Sequence, residues 1–302
     1  MEKHWSAGWY YNIELSDGEF TDGVARKNLA LTRKLLRNVD VRGKRCLDIG
    51  TAEAVIPVLL KRAGASDVVA YDLVNSSSKV NLIKETYKVD FEYIHSLSLP
   101  DLQAELMKRD ADKFFDLVVF SGVLYHLVNP LGVLALVKSF CKLGGLLLLE
   151  TRTVHDSEAK MIFNMDGRFG YEFFLVTTGW LDSALRMVGL EPLSVLYNGS
   201  LSLNKPSRTA ILCRSHAGPI PLHEAKPGFY EEMFSVLMRK NYNDALRYDY
   251  ADLLNTQTSI GYSPFDEKIA VINGRSLHEA CNDIQSYTPS LDETRLTLLA
   301  TM

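Results

Sequence analysis

The sequence predicts an α/β protein: a mostly parallel sheet covered by helices, closed by an antiparallel last hairpin and followed by an α-rich C-terminal segment. Three observations point there. From residue 44, strand-sized apolar runs alternate with helix-length amphipathic segments, and right-handed crossovers of that kind make parallel pairs. The run "FDLVVF", Phe115–Phe120, is apolar almost throughout, as in strands buried on both faces. Later, two strand-like runs, Pro192–Tyr197 and Thr209–Cys213, are joined by the turn-rich "NGSLSLNKPSR", which suits a hairpin.

The elements follow in order. Strand one is Arg45–Ile49, and its helix runs to Arg62, with Gly64 as a left-handed cap. Strand two, Val68–Tyr71, ends at Asp72. One of Ser76, Ser77 and Ser78 caps the next helix, whose stripe is Val80, Ile83 and Tyr87. Phe91–Ile94 is strand three, Phe115–Phe120 strand four. "NPLGVLALVKSFCKLGG" reads as one helix, with Asn129 as N-cap, Pro130 in the first turn and Gly144-Gly145 as its stop. "LLLLET" is strand five. Thr178 caps a helix striped by Leu181, Leu185 and Val188 that ends at Gly189. The Gly/Pro cluster at 217–228 marks a boundary. Beyond it come an aromatic amphipathic helix from Phe229 to about Leu254, a short strand "IAVI", and two capping-box patterns, Ser276-x-x-Glu279 and Ser290-x-x-Glu293. Three parts result: a lid or helix over 1–40, a core over 41–216, and a cap or dimerisation segment over 217–302.

Composition narrows the class. The 302 residues, 47% hydrophobic and 23% charged, suffice for a full core, and a net charge of -4 gives no broad basic field for long nucleic acid. No signal-peptide pattern opens the chain and no apolar run reaches membrane-spanning length, so a cytoplasmic protein is expected. Cys46, Cys141, Cys213 and Cys281 are scattered, which favours buried reduced thiols over a metal site.

The ligand end of an open parallel sheet lies beyond the carboxyl ends of its strands. There, strand one ends in Asp48-Ile49-Gly50, and Asp72 follows 22 residues past the glycine. A carboxylate so placed can accept both hydroxyls of a ribose. Gly50 lets the loop pass close under a ligand, whereas Ala52 and Ala54 are small but poor in left-handed geometry. A dinucleotide needs bare backbone for its pyrophosphate. The alanines and the charge of Glu53 argue against that. A nucleoside bearing an amino acid on sulfur needs no phosphate cradle, and its cationic groups suit Asp48. The loop therefore points to S-adenosylmethionine.

The order "LDIGTAEA", "AYD", "FDLVVFSGVLYHLVNPLGVL", "LGGLLLLET" resembles a class I S-adenosylmethionine-dependent methyltransferase with its Rossmann-like fold. Within that superfamily, "SGVLYHLVNPL", "WYYNIELSDGEFTDG" and "DGRFGYEFFLVTTGWLDSALRMVGL" resemble the branch containing the tRNA wobble-uridine carboxymethyltransferases. The likeness covers about residues 5–215. It implies that Asp48 and Gly50 line the methionine end, Asp72 the ribose and the Ser96-Leu97 turn the adenine, with Ala52 and Leu73 also among the cofactor-binding residues. It also implies a wall of Ser121, Gly122 and Tyr125 beneath the sulfonium.

At the substrate end, His126 follows strand four, where the methyl group should point, and is the candidate general base. The aromatic segment with Trp9, Tyr10 and Tyr11 is expected to fold over the pocket and set ring faces near a cation. Arg152 and Arg168 are candidates for binding an anionic group of the substrate. The basic run Arg26, Lys27, Arg33, Lys34, Arg37 reads as a solvated helix face. The expectation is methylation of a small-molecule metabolite on oxygen or nitrogen, within secondary metabolism. A tRNA substrate, with a plain or carboxylated cofactor, is the first alternative, and a catalytically silent nucleoside-binding regulator the second. The helix from Phe229 would cover the site or pair with its twin in a homodimer.

Overall fold

The computed structural model describes residues 8–109, 114–164, 172–202, 205–220 and 257–299. Arg168 and the expected helix from Phe229 lie outside them.

The chain opens with two short strands, β1 (Glu14–Ser16) and β2 (Glu19–Phe20), and helix α1 (Lys27–Leu36). The alternation then runs β3 (Arg45–Ile49), α2 (Val55–Arg62), β4 (Asp67–Asp72), α3 (Ser77–Tyr87), β5 (Glu92–His95), α4 (Leu99–Arg109), β6 (Phe115–Ser121) and α5 (Pro130–Lys138). There follow β7 (Cys141–Val154), β8 (Met161–Phe163), β9 (Phe174–Thr177), α6 (Thr178–Met187), β10 (Leu190–Asn198), β11 (Pro206–Ser215), β12 (Ala270–Val271) and α7 (Leu277–Asn282). The main sheet has the order β12-β10-β11-β7-β6-β3-β4-β5, and β9 pairs with β7 beside it. Strands β5, β4, β3, β6 and β7 are mutually parallel, while β11 runs antiparallel to both β7 and β10. The predicted mostly parallel sheet with an antiparallel last hairpin is the observed one.

Alternation along the strands divides the interior in two. Leu47, Ile49, Val118, Phe120, Leu147 and Leu149 pack with α4, α5 and α6 on one face. Cys46, Leu117, Val119, Leu146 and Leu148 pack with α1, α2 and α3 on the other. Successive side chains of a strand point to opposite faces, so a run apolar at every position is what a doubly covered sheet demands. All four cysteines are buried and unpaired.

Two local expectations need correction. The helix begun by Asn129, whose Oδ1 accepts the amide hydrogen of Gly132, ends at Lys138 rather than at the glycine pair. Gly144 and Gly145 instead lie inside β7, where pairing with β6 jumps from Phe115–Cys141 to Leu117–Leu146. A Cβ on Gly145 would stand 3.0 Å from the Asp116 carbonyl oxygen, so the glycines build a strand bulge. Likewise Thr177, not Thr178, caps α6, accepting from the Trp180 amide at 3.1 Å. A glycine pair suits a strand bulge as well as a helix stop, and two adjacent threonines suit a cap equally, so residue type alone does not separate the choices.

Residues 257–299 are laid against the core. Strand β12 pairs antiparallel with β10, Ser276 and Glu279 form a full capping box on α7, and Leu296 bridges to Ile13 in the N-terminal segment. Among the described residues no helix is long and apolar enough to cross a membrane.

Candidate active site

Strand β3 has β4 on one side and β6 on the other, so crossovers leave its carboxyl end in opposite directions and open a crevice there. The loop after β3 is tightly wound. Gly50 and Thr51 both donate their amides to the Tyr71 carbonyl, at 2.9 and 3.0 Å, and Ala54 donates to the Thr51 carbonyl at 2.8 Å. Ala52 donates to Asp72 Oδ2 at 2.8 Å. The φ angles are 83° at Gly50, 48° at Ala52 and 60° at Ala54. The alanines therefore follow a left-handed path that costs an L-residue about 1–2 kcal/mol. At Gly50 a side chain is barred, since its Cβ would come within 2.3 Å of Val123 Cγ2.

This loop borders a cavity of about 930 Å³. Gly50, Ala52 and Asp72 line its floor, with Leu73 and Val74 at the rim, 64% and 66% exposed. Ser98, Leu99 and Pro100 form one wall; Ser121, Gly122 and Val123, from the end of β6 onward, form another. Tyr10, Tyr11 and Asn28 face in from the N-terminal segment and α1, and His126 and Asn129 from the stretch before α5.

The N-terminal wall is held by Glu53, a residue the sequence offered only as a charge near the loop. Its Oε1 accepts the Tyr10 amide at 2.8 Å and its Oε2 the Tyr11 amide at 3.2 Å. Lys79 bridges Glu53 Oε1 and the Gly8 carbonyl and lies 5.1 Å from the centre of the Trp9 ring. Arg26 donates to the Tyr10 carbonyl and stacks on the Tyr10 ring. Tyr10 and Tyr11 thus stand in the lining of the cavity, while Trp9 does not.

Behind the walls stand two buried acids. Asp48 is 2% exposed, and its Oδ2 has no hydrogen-bond partner. Burial, opposed by the Thr51 hydroxyl and helped by the nearby charge of Asp72, pushes its carboxyl up to about 7. Glu150, fully buried within β7, is paired with Arg208 from β11 at 2.8 Å, and Arg208 also donates to the Tyr125 hydroxyl at 3.1 Å. Burial raises the Glu150 carboxyl and Arg208 opposes the rise. Burial likewise pushes the Tyr125 phenol up to about 12. A Cβ on Gly122 would lie 3.6 Å from the Tyr125 hydroxyl and 3.8 Å from Glu150 Oε2, so this trio backs the wall at Gly122.

Of the residues singled out from sequence, Gly50, Ala52, Asp72, Leu73, Ser121, Gly122, His126, Tyr10 and Tyr11 line the cavity. Asp48 and Tyr125 lie behind it. Ser96 and Leu97 do not line it: Ser96 takes a left-handed turn with its hydroxyl on His95, the Leu97 carbonyl accepts from Tyr71, and the wall passes to Ser98, Leu99 and Pro100. Arg152 pairs with Glu172 outside the lining, and Trp9 rests against Lys79. Asn28 and the Glu150–Arg208 pair were missed. Arg208 reaches Glu150 because β11 pairs with β7, an adjacency no local pattern announces.

The arrangement suits a nucleoside without phosphates. The amides of Gly50, Thr51, Ala52 and Ala54 are all donated within the protein and are not offered to a pyrophosphate. Asp72 keeps lone pairs for ribose hydroxyls. Asp48 gives a buried unpaired oxygen close to the floor, where a cationic group would lower the cost of its ionisation. These residues fit S-adenosylmethionine.

Comparison with known proteins agrees. The family model described as a methyltransferase domain matches residues 23–195, more than half of the chain. The chain belongs to this methyltransferase family. A tRNA U34 carboxymethyltransferase of Pseudomonas paraeruginosa is 31% identical to this chain over 156 residues, 50% of this chain and 46% of that one. Another, from Idiomarina loihiensis, is 25% identical over 201 residues, 64% of this chain and 59% of that one. The chain thus spans about half the length of the first of these relatives. Among solved structures, the N-terminal domain of EvdMO1 in the presence of SAH and D-fucose aligns with a TM-score of 0.51 at 16% identity, covering 69% of this chain and 91% of that one. This likeness bears on the fold.

Proposed function

We propose that the protein transfers a methyl group from S-adenosylmethionine to an oxygen or nitrogen of a small-molecule metabolite, in the cytoplasm and within secondary metabolism. The cavity carries this reading: about 930 Å³, walled by Tyr10 and Tyr11 on one side and reached by His126 on another. Small-ligand sites span roughly 300–1,000 Å³, so this one has room for a cofactor beside a compact acceptor. The basic run expected as a solvated helix face is so only in part: Lys34 is paired with Asp266, the buried Arg33 donates to the Arg295 carbonyl and Arg26 stacks on Tyr10, while Lys27 and Arg37 stay exposed. The three engaged cations are not available to a nucleic-acid backbone, which supports the same reading.

When bound, S-adenosylmethionine supplies a methyl group already activated on sulfur. The chain has to align, dehydrate and deprotonate. Asp72 accepts the ribose hydroxyls, and the wound loop from Gly50 to Ala54 fixes the floor. Tyr10 and Tyr11 exclude water and turn aromatic faces toward a cation. The His126 ring accepts the proton of the acceptor atom. Gly122, backed by Tyr125, Arg208 and Glu150, keeps that wall close and stiff.

Modification of a tRNA wobble uridine is the second reading, favoured by the carboxymethyltransferase relatives. The deciding test offers the purified protein methyl-labelled S-adenosylmethionine with either a low-molecular-weight metabolite extract or bulk tRNA. Label in the metabolite fraction is the expected result. Label in tRNA alone overturns the small-molecule assignment.

A further inference from the structure

We propose that Glu53 is a positioning residue that couples ligand binding on the cofactor loop to placement of the N-terminal wall. This inference rests on the reading of the cavity as a cofactor site.

Glu53 stands between Ala52 and Ala54, both left-handed, and is 4% exposed. Its neighbour Ala52 lines the cavity and bonds to Asp72 there. Glu53 itself turns to the N-terminal segment, where one carboxylate accepts two successive backbone amides, those of Tyr10 and Tyr11. Adjacent residues of one tight turn thus hold the floor and an opposite wall of a single cavity. Hydrogen bonds to a carboxylate are charge-assisted and stronger than neutral ones, and Lys79 supports the charge at the same Oε1 that accepts the Tyr10 amide.

The rest of the segment is fastened elsewhere. Thr21 Oγ1 donates to the Tyr11 carbonyl, and Gly23 lies so close that a Cβ there would stand 1.8 Å from that oxygen. Ile13 pairs with Leu296. Tyr10 and Tyr11 are therefore the point where the anchored segment meets the cavity, and their backbone amides answer to Glu53. A ligand that stiffens the Ala52–Asp72 contact restricts Glu53 one residue away, and through it Tyr10 and Tyr11. Coupling of this kind is reciprocal, so a fixed N-terminal wall also tightens the ligand. Acceptor would then meet a completed cavity only after the cofactor has bound.

A purely structural role for Glu53 predicts lower stability on its removal and nothing more. Hydrogen exchange separates the two. Exchange of the Tyr10 and Tyr11 amides is followed with and without saturating S-adenosylhomocysteine in the wild type, Glu53→Ala and Glu53→Gln, alongside calorimetric titration. In the wild type the ligand slows exchange at both amides about tenfold. In Glu53→Ala the ligand binds about tenfold more weakly, within the usual span of coupling between sites, and no longer changes exchange at these amides. Glu53→Gln, isosteric and with one acceptor oxygen, gives the intermediate response and stands in if the alanine variant does not fold. Binding to the wild type without protection at Tyr10 and Tyr11, or equal protection in all three proteins, overturns the inference while leaving the cofactor reading intact. Absence of binding to the wild type overturns both.

Discussion

The Asp72 carboxylate accepts the Ala52 amide at 2.8 Å, so the acid facing the cavity also holds the loop that forms its floor. Its other oxygen accepts the Val74 amide at 2.9 Å, which fixes the side chain between two backbone segments. A carboxylate oxygen can accept more than one hydrogen bond, and both retain capacity toward a ribose.

Asp72→Ala removes the ribose partner and frees Ala52 together. Hydrogen bonds to a charged group are worth about 1.5–3 kcal/mol each, so affinity for S-adenosylhomocysteine should fall by about a hundredfold. Asp72→Asn keeps the shape but loses the double acceptor and should fall by about tenfold. Isothermal titration reads both. An unchanged dissociation constant in the alanine variant would remove Asp72 from the site.

The left-handed alanines give a second expectation. Ala52→Gly relieves roughly 1–2 kcal/mol of backbone strain against roughly 0.5–1 kcal/mol of added chain entropy, for a net gain of about 0.5–1 kcal/mol. Ala54 is fully buried, and losing its methyl costs about 0.8 kcal/mol, so Ala54→Gly should come out near zero. Urea unfolding of the two variants should rank Ala52→Gly above wild type and Ala54→Gly beside it. The reverse ranking would mean that the loop geometry at these positions is not as described.

Asp48 ties stability to pH. Its folded value is raised to about 7, so between the usual carboxylate range and that value only the folded chain holds the proton. Stability from this group is present at low pH and falls as pH rises, by about 1.4 kcal/mol per pH unit, until about pH 7. Asp48→Asn removes the slope. Between about pH 5.5 and about pH 8 its stability relative to wild type should improve by about 2 kcal/mol, while affinity for the cationic ligand drops. A pH-independent difference would contradict the burial that raises the Asp48 carboxyl.

How much of this could be read in advance follows from how local each signal is. The strand "FDLVVF", the Asp48–Gly50 turn and Asp72 are written in short stretches whose periodicity and spacing carry the physics, and they fall where expected. The glycine pair at 144–145 was read as a helix stop because a bulge and a stop use the same residue. Glu53 looked like a charge discouraging phosphate. Its partners Tyr10 and Tyr11 lie more than forty residues earlier in the chain, and nothing in the loop names them. Ser98 to Pro100 supplanted Ser96 and Leu97 on the wall through one left-handed residue, a shift finer than residue type can encode.

The same nonlocality produced the buried pair of Glu150 and Arg208, and it sets the last expectation. Register places Arg208 opposite Arg152 on β7, two residues from Glu150, so diagonal neighbours on one face of the sheet make the pair. Glu150 is fully buried and the Arg208 side chain is 24% exposed. Arg208→Met would leave the carboxylate without its cation, a change that typically costs about 3–5 kcal/mol. Burial already raises the Glu150 carboxyl, and without Arg208 the rise grows, so the acid takes up a proton more readily in the folded state. Stability of Arg208→Met should accordingly be highest in acid and decline as pH rises, whereas wild type, with the pair intact, declines less. The double variant Glu150→Gln with Arg208→Met carries no charge here and should recover part of the loss at about pH 8. Urea unfolding of the three proteins across that pH range tests the account. A loss in Arg208→Met that neither shrinks in acid nor recovers in the double variant would show that Arg208 acts through packing on Tyr125, not through Glu150.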